Sequence, residues 1–205
     1  MATEFTLGAG ASCSDGPCGE VIRTILDPAA RTVTHLVIQP GHRAADGRLV
    51  PVGLIEPGPG GIRLRCSLAE FDRLEPAEEI DVVQGVDYAG GYGPDAVAGY
   101  GNVGGMGADM TLDHYTPTVT SDNVPEGETE AVRHERIHAT DGEIGRLKGF
   151  AVDPADHRVT HVLLREGHLW GRREIAIPVS AVASLDDGIR LNITKKQVED
   201  LPSQA

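Results

Sequence analysis

The sequence predicts a mainly β chain: two tandem small barrels, each closed by a short C-terminal helix, joined by a glycine-rich linker. Three observations carry that expectation. One pattern is written twice. Asp15-Gly16, Gly19, Asp27-Pro28, Val33-Thr34-His35 and Gly41-His42 recur 126 residues later as Asp141-Gly142, Gly145, Asp153-Pro154, Val159-Thr160-His161 and Gly167-His168. After a one-residue shift, Pro51 answers Pro178 and Gly61-Ile62-Arg63-Leu64 answers Gly188-Ile189-Arg190-Leu191. Self-similarity at a fixed period outranks any local reading of fold. The second observation is the grammar of each copy, in which short apolar runs alternate with turn residues, as in small barrels and sandwiches. The third is a capping box at the same repeat position, Ser67-Leu68-Ala69-Glu70 and Thr194-Lys195-Lys196-Gln197. There a hydroxyl and a carboxylate or amide satisfy free backbone N–H groups at a helix start.

In chain order, Phe5-Thr6-Leu7 reads as a short strand and Asp15-Gly16 as a turn, because Gly accepts positive φ and Asp bonds to nearby backbone. Strands follow at Gly19–Leu26, Val33–Gln39, Arg48–Gly53 and Ile62–Cys66. Asp27-Pro28 stops the first of these, since proline cannot donate to the ladder. Pro57-Gly58-Pro59-Gly60-Gly61 is read as a tight loop, and the capped helix from Ser67 ends near Leu74, before Pro76. The second copy repeats the strands at Ile144–Val152, Val159–Glu166, Glu174–Pro178 and Ile189–Ile193, and its helix closes at Leu201-Pro202. The expected modules are 1–83 and 136–205, with a linker over 84–135.

The linker is of different material. Nine of the residues from Gly85 to Gly107 are glycine, and this region holds all four tyrosines, Tyr88, Tyr92, Tyr100 and Tyr115. A flexible acidic spacer is the plain reading of such a composition. The sharper reading makes the tyrosines contact points on a barrel face or a partner. The net charge of −13 is concentrated here: residues 84–135 carry one basic and nine acidic groups, whereas 136–205 carry ten of each. Nucleic-acid binding needs clustered Lys and Arg, and Arg172-Arg173 and Lys195-Lys196 are the only basic pairs. Nucleic acid is therefore not an expected partner. No apolar run approaches the ~20 residues that span a bilayer, and Met1-Ala2-Thr3-Glu4 lacks the basic start and apolar stretch of a signal peptide. The expected location is cytoplasmic. Cys13, Cys18 and Cys66 are odd in number and confined to the first copy, which fits free thiols in a reducing compartment.

With these residues in view, the second copy resembles the PRC-barrel family. This is the small barrel shared by the cytoplasmic domain of the photosynthetic reaction-centre H subunit and the C-terminal domain of RimM-type ribosome-maturation factors. The matching residues are Asp141-Gly142-Glu143-Ile144-Gly145, Asp153-Pro154, Val159-Thr160-His161-Val162, Gly167, Ile177-Pro178 and the closing helix to Leu201-Pro202. The first copy is a weaker match, with Pro17-Cys18 where the second has Glu143-Ile144. The resemblance implies a non-catalytic module for protein interaction or assembly, because the family shares no catalytic residues. The membrane helix of H subunits and the RNA-binding half of RimM factors have no counterpart here.

The candidate residues are weighed on that background. His157, His161 and His168 are the best metal candidates, since positions four apart in a strand share a face. Arg31 replaces His157 in the first copy and no Cys or acid completes a set, so no metal or cofactor is assigned. His35 and His161 sit mid-strand with Val33 and Val37, or Val159 and Leu163, on the same face. The other face is apolar too, unlike a strand with one wet side. Something therefore covers the histidine face. We expect either an element of the same module or the other module, within the chain or between chains of a homo-oligomer. Trp170, with His168, Leu169 and Arg172 beside it, is either a plug at one barrel end or an exposed anchor of the type that dominates binding hot spots. No Ser/His/Asp constellation, phosphate-cradling loop or H-E-x-x-H occurs, and the chain is read as no enzyme. A ribosome- or RNA-associated factor is the first alternative function, and a small-ligand carrier or enzyme the second.

Overall fold

A computed structural model describes residues 3–41, 47–58, 61–82, 118–166, 174–185 and 188–201. Sixteen strands, two short α-helices and two 3-10 turns are assigned within them. The first copy contains β1 (Thr3–Thr6), β2 (Gly10–Ser12), β3 (Pro17–Asp27), β4 (Thr32–Gln39), β5 (Arg48–Pro51), β6 (Ile55–Gly58), β7 (Gly61–Leu64) and α1 (Leu68–Phe71). Next come β8 (Glu78–Val82) and β9 (Thr118–Asp122), which pair with each other in a separate two-stranded sheet. The second copy contains β10 (Thr129–Val132), β11 (Arg136–Ala139), β12 (Gly142–Val152), β13 (Val159–Glu166), β14 (Glu174–Pro178), β15 (Val182–Ser184), β16 (Ile189–Leu191) and α2 (Lys195–Glu199).

The protein is mainly β, as the sequence predicts. The two main sheets have seven strands each, in the equivalent orders β5-β4-β3-β2-β7-β6 and β14-β13-β12-β11-β16-β15. The pairs β2/β7 and β11/β16 are parallel within otherwise antiparallel sheets. Both capping boxes form as expected. The Ser67 hydroxyl accepts from Glu70 N–H while the Glu70 carboxylate accepts from Ser67 N–H at 2.8 Å. Thr194 and Gln197 do the same, at 2.9 Å for the returning bond.

The seventh strand of each sheet departs from expectation: a strand at Phe5–Leu7 is expected, but not its pairing with the second copy, and β10 falls in the stretch expected as linker. β1, from the first copy, pairs with β12 of the second, Thr3 opposite Val152 through Thr6 opposite Gly149. β10 pairs with β3 of the first copy, Thr129 opposite Leu26 through Val132 opposite Arg23. Both strand and partner are related by the 126-residue repeat, so the exchange is reciprocal: each copy gives its leading strand to the other. The second copy thus begins near Thr129, inside the stretch read as linker, and Phe5 belongs to the sheet of the other copy.

Close backbone approach explains two glycines. A Cβ at Gly19 would lie 2.1 Å from the carbonyl oxygen of Gln39 on β4. One at Gly149 would lie 2.0 Å from the carbonyl oxygen of Phe5 on the exchanged β1.

The exchange also merges the cores. A single buried cluster runs from Phe5, Val21, Leu36 and Ile38 through Ile137, Phe150, Val162 and Leu164. The opposite face of β4 is covered as well: Val37 packs with Ile25, Leu49 and Ala77, and with half-buried Ile22 and Val124. Ala77 and Val124 come from the chain before β8 and after β9, so the cover is supplied by the end of the expected first module and by the stretch expected as linker.

Candidate functional site

The seam between the copies is where the repeated residues meet. Asp27-Pro28 and Asp153-Pro154 each open a turn that ends on a left-handed residue, Arg31 at φ 54° and His157 at φ 58°. The Asp27 carboxylate accepts from the N–H groups of Ala29 and Ala30 at 2.8 and 2.9 Å, and Asp153 accepts from Ala155 at 2.8 Å. The two turns lie against each other. Val33 N–H donates to the His157 carbonyl at 3.1 Å, and Val159 N–H to the Arg31 carbonyl at 2.8 Å. The equivalent positions bond reciprocally, as at a two-fold contact. Arg31 also crosses the seam, its guanidinium donating to the carbonyls of Val179 and Val182 at 3.2 and 3.3 Å.

His35 stands on β4 opposite Pro51, and His161 on β13 opposite Pro178. The His35 ring is half-buried, with Nδ1 3.8 Å from a Glu128 carboxylate oxygen and no hydrogen bond. That oxygen instead accepts from the Thr34 hydroxyl at 2.5 Å. Since Glu128 immediately precedes β10, His35 lies beside the entry of an exchanged strand. His161 Nδ1 is 3.2 Å from the Thr160 hydroxyl, which donates to the Ala151 carbonyl at 2.9 Å. His157 serves the turn. Among the described residues no group of three His, Cys, Asp or Glu side chains is placed to hold a metal ion. Trp170, His168, Leu169, Arg172, Tyr88, Tyr92, Tyr100 and Tyr115 lie outside the described residues.

The remaining repeated acids also act on backbone. Asp15 accepts from Leu68 N–H at 2.8 Å and Asp141 from Lys195 N–H at 2.9 Å, so each ties the first turn of its copy to the start of its helix. The arrangement holds strands, turns and helices in register and leaves none of these four carboxylates uncommitted.

The three thiols come together in the first copy. Cys13 N–H donates to the Gly16 carbonyl at 2.8 Å and Ser14 N–H to the Cys66 carbonyl at 2.9 Å, which draws the β2–β3 turn against the end of β7. All three cysteines are buried and free. In the second copy the same stations are Ala139, Ile144 and Ile193, so the thiols fill positions that the repeat otherwise gives to apolar groups. Burial pushes the Cys13 thiol up to about 12 and the Cys66 thiol up to about 11, and raises Cys18 as well. The thiolate is the reactive form. The native chain should therefore resist alkylation at mildly alkaline pH, and all three cysteines should react once denaturant is added. A native thiol labelled as fast as free cysteine would overturn this placement.

Among the described residues, no helix is long and apolar enough to cross a membrane. Compared with known proteins, the chain matches no family model and no curated protein.

Proposed function

We propose that the chain is a non-catalytic protein-interaction and assembly module, built from two barrels of PRC type, that associates with further copies of itself. The observation that carries this reading is the reciprocal exchange of β1 and β10. A strand donated to an equivalent copy makes the same contacts whether that copy belongs to the same chain or to another. A connection running from Glu79 to Ser121 leaves length for either choice, and concentration decides between them. The engagement of Asp15, Asp27, Asp141 and Asp153 in turns and caps supports a structural use of the repeated residues rather than chemistry. Trp170, absent from the first copy, is the residue we assign as an anchor for association, as the type most enriched in hot spots.

Sedimentation of the full chain over two decades of concentration tests the reading. We expect reversible self-association that Trp170→Ala weakens without moving the urea midpoint. A chain that stays monomeric throughout, or that behaves identically with Trp170→Ala, sinks the proposal. RNA that co-purifies and dissociates steeply with salt would move the assignment to an RNA-associated factor.

A further inference from the structure

A cleft of about 450 Å³ opens where the chain leaves β1 and runs beside β12 and β13. Positive charge gathers here in an acidic protein: Arg133, Arg146, Lys148 and Arg165 line the cleft, with His134 beside them and Glu143 as its carboxylate. Glu143 is answered by Arg136 at 3.6 Å. Arg133 is paired with Glu20 at 2.9 Å and Lys148 with Glu174 at 2.6 Å. Among the described residues the other two cations have no such partner. Arg146 donates to the His134 carbonyl at 3.3 Å, which is a dipole and not a charge. Arg165 has no carboxylate partner among the described residues.

The register sets like charges side by side in this cleft. Arg146 on β12 stands directly opposite Arg165 on β13 and Arg136 on β11, and like charges in that relation repel; Glu174 of β14 stands on the far side of Arg165 but is bonded to Lys148. The repeat provides an internal control. The same two stations in the first copy are Glu20 and Gln39, also directly opposite each other, so the fold does not require two arginines there. The repulsion is specific to the second copy.

We infer that this cleft binds a compact oxyanion, the phosphate or carboxylate group of a small molecule, between the Arg146 and Arg165 guanidinium groups. Each fork presents parallel N–H donors matched to two oxygens. Bound charge turns the cross-strand repulsion into a clamp, with Lys148 and Arg133 at the rim. A compact anion fits better than a nucleic-acid strand. Polyanion binding needs many cations along a track, and outside this cleft the net charge of the chain, −13 overall, repels one. This site does not depend on the assembly role proposed above.

Calorimetric titration of the full chain with inorganic pyrophosphate, and separately with citrate, tests the inference and distinguishes phosphate from carboxylate chemistry. One site per chain is expected for at least one probe. Loss of a charge-assisted bond should weaken it roughly tenfold in Arg146→Gln or Arg165→Gln, and abolish it in the double variant. Arg63→Gln, exposed on β7 of the first copy, should bind as the parent does. Without ligand, the double variant should melt at the same temperature or higher, because a repulsion has been removed. Saturating probe should raise the melting temperature of the parent alone. The inference is overturned if neither probe binds, if the variants bind as tightly as the parent, or if the ligand-free double variant melts lower. A single-stranded RNA that binds more tightly than both probes would equally overturn it in favour of a polyanion.

Discussion

Replacing Arg23 with methionine is expected to destabilise the protein by about 2 kcal/mol, between the scale for an exposed ion pair and that for removing one partner of a buried one, because its carboxylate partners are a third to a half exposed. Arg23 lies on β3 opposite Val132 of the exchanged β10, and its side chain is 18 % exposed. One guanidinium nitrogen bonds Glu78, and the other bonds Asp122 at 2.6 Å and Glu130 at 3.2 Å. Burial alone would lower the pKa of the guanidinium, yet the Asp122 and Glu130 carboxylates hold it above its ordinary value. Without it, three carboxylates face one another with no counter-charge, at the root of β8, the end of β9 and the middle of β10. Adding Glu130→Gln to Arg23→Met should return part of the loss, and high salt should narrow the gap between variant and parent by screening. Urea midpoints measure all three. Equal midpoints for parent and Arg23→Met would show that the cluster contributes nothing.

Gly149→Ala should have an effect of similar size by a different route. Its added methyl would meet the Phe5 carbonyl oxygen at 2.0 Å and Thr6 Cα at 2.9 Å. These are backbone atoms that no rotamer change can clear, so β1 must leave the sheet. Phe5, now 2 % exposed opposite Phe150, then loses its burial, which accounts for about 2–3 kcal/mol. Gly10→Ala is the matched control: a Cβ there meets nothing within 4 Å, so its cost should stay within about 0.5 kcal/mol. Hydrogen exchange over residues 3–7 and urea melts check the pair. An alanine variant that keeps those amides protected and its midpoint unchanged would contradict this account.

These two positions are the same station of the repeat, 126 residues apart, and they show where sequence reading stopped. The inner strands were legible because Val33-Thr34-His35 and Val159-Thr160-His161 keep their letters. The helices were legible because each capping box is a local device. The exchanged strands keep only Thr3-Glu4 and Thr129-Glu130. Beyond that their letters diverge, since Phe5 faces Phe150 whereas Ala131 faces Thr24. The identical dipeptide at the right spacing was the available signal, and it places the start of the second copy near Thr129 rather than 136. β2, β6, β11 and β15 are three or four residues long, too short for alternation to register. The histidines could be assigned to a doubly covered strand, but the cover over β4, Ala77 and Val124, comes from segments with no repeat pattern. The opposition of Arg146 and Arg165 was invisible for another reason. Only strand register brings together two residues 19 positions apart in the chain.

The reciprocal exchange also bears on how the protein is made. A first half emerging during synthesis has an open ladder along β3 until residues up to Val132 have been translated, and exposed edges recruit other strands. The pace at which residues 79–132 follow therefore decides whether the vacancy is filled from the same polypeptide or from a neighbouring nascent one. Synthesis rate and local crowding thereby become inputs to the architecture that results.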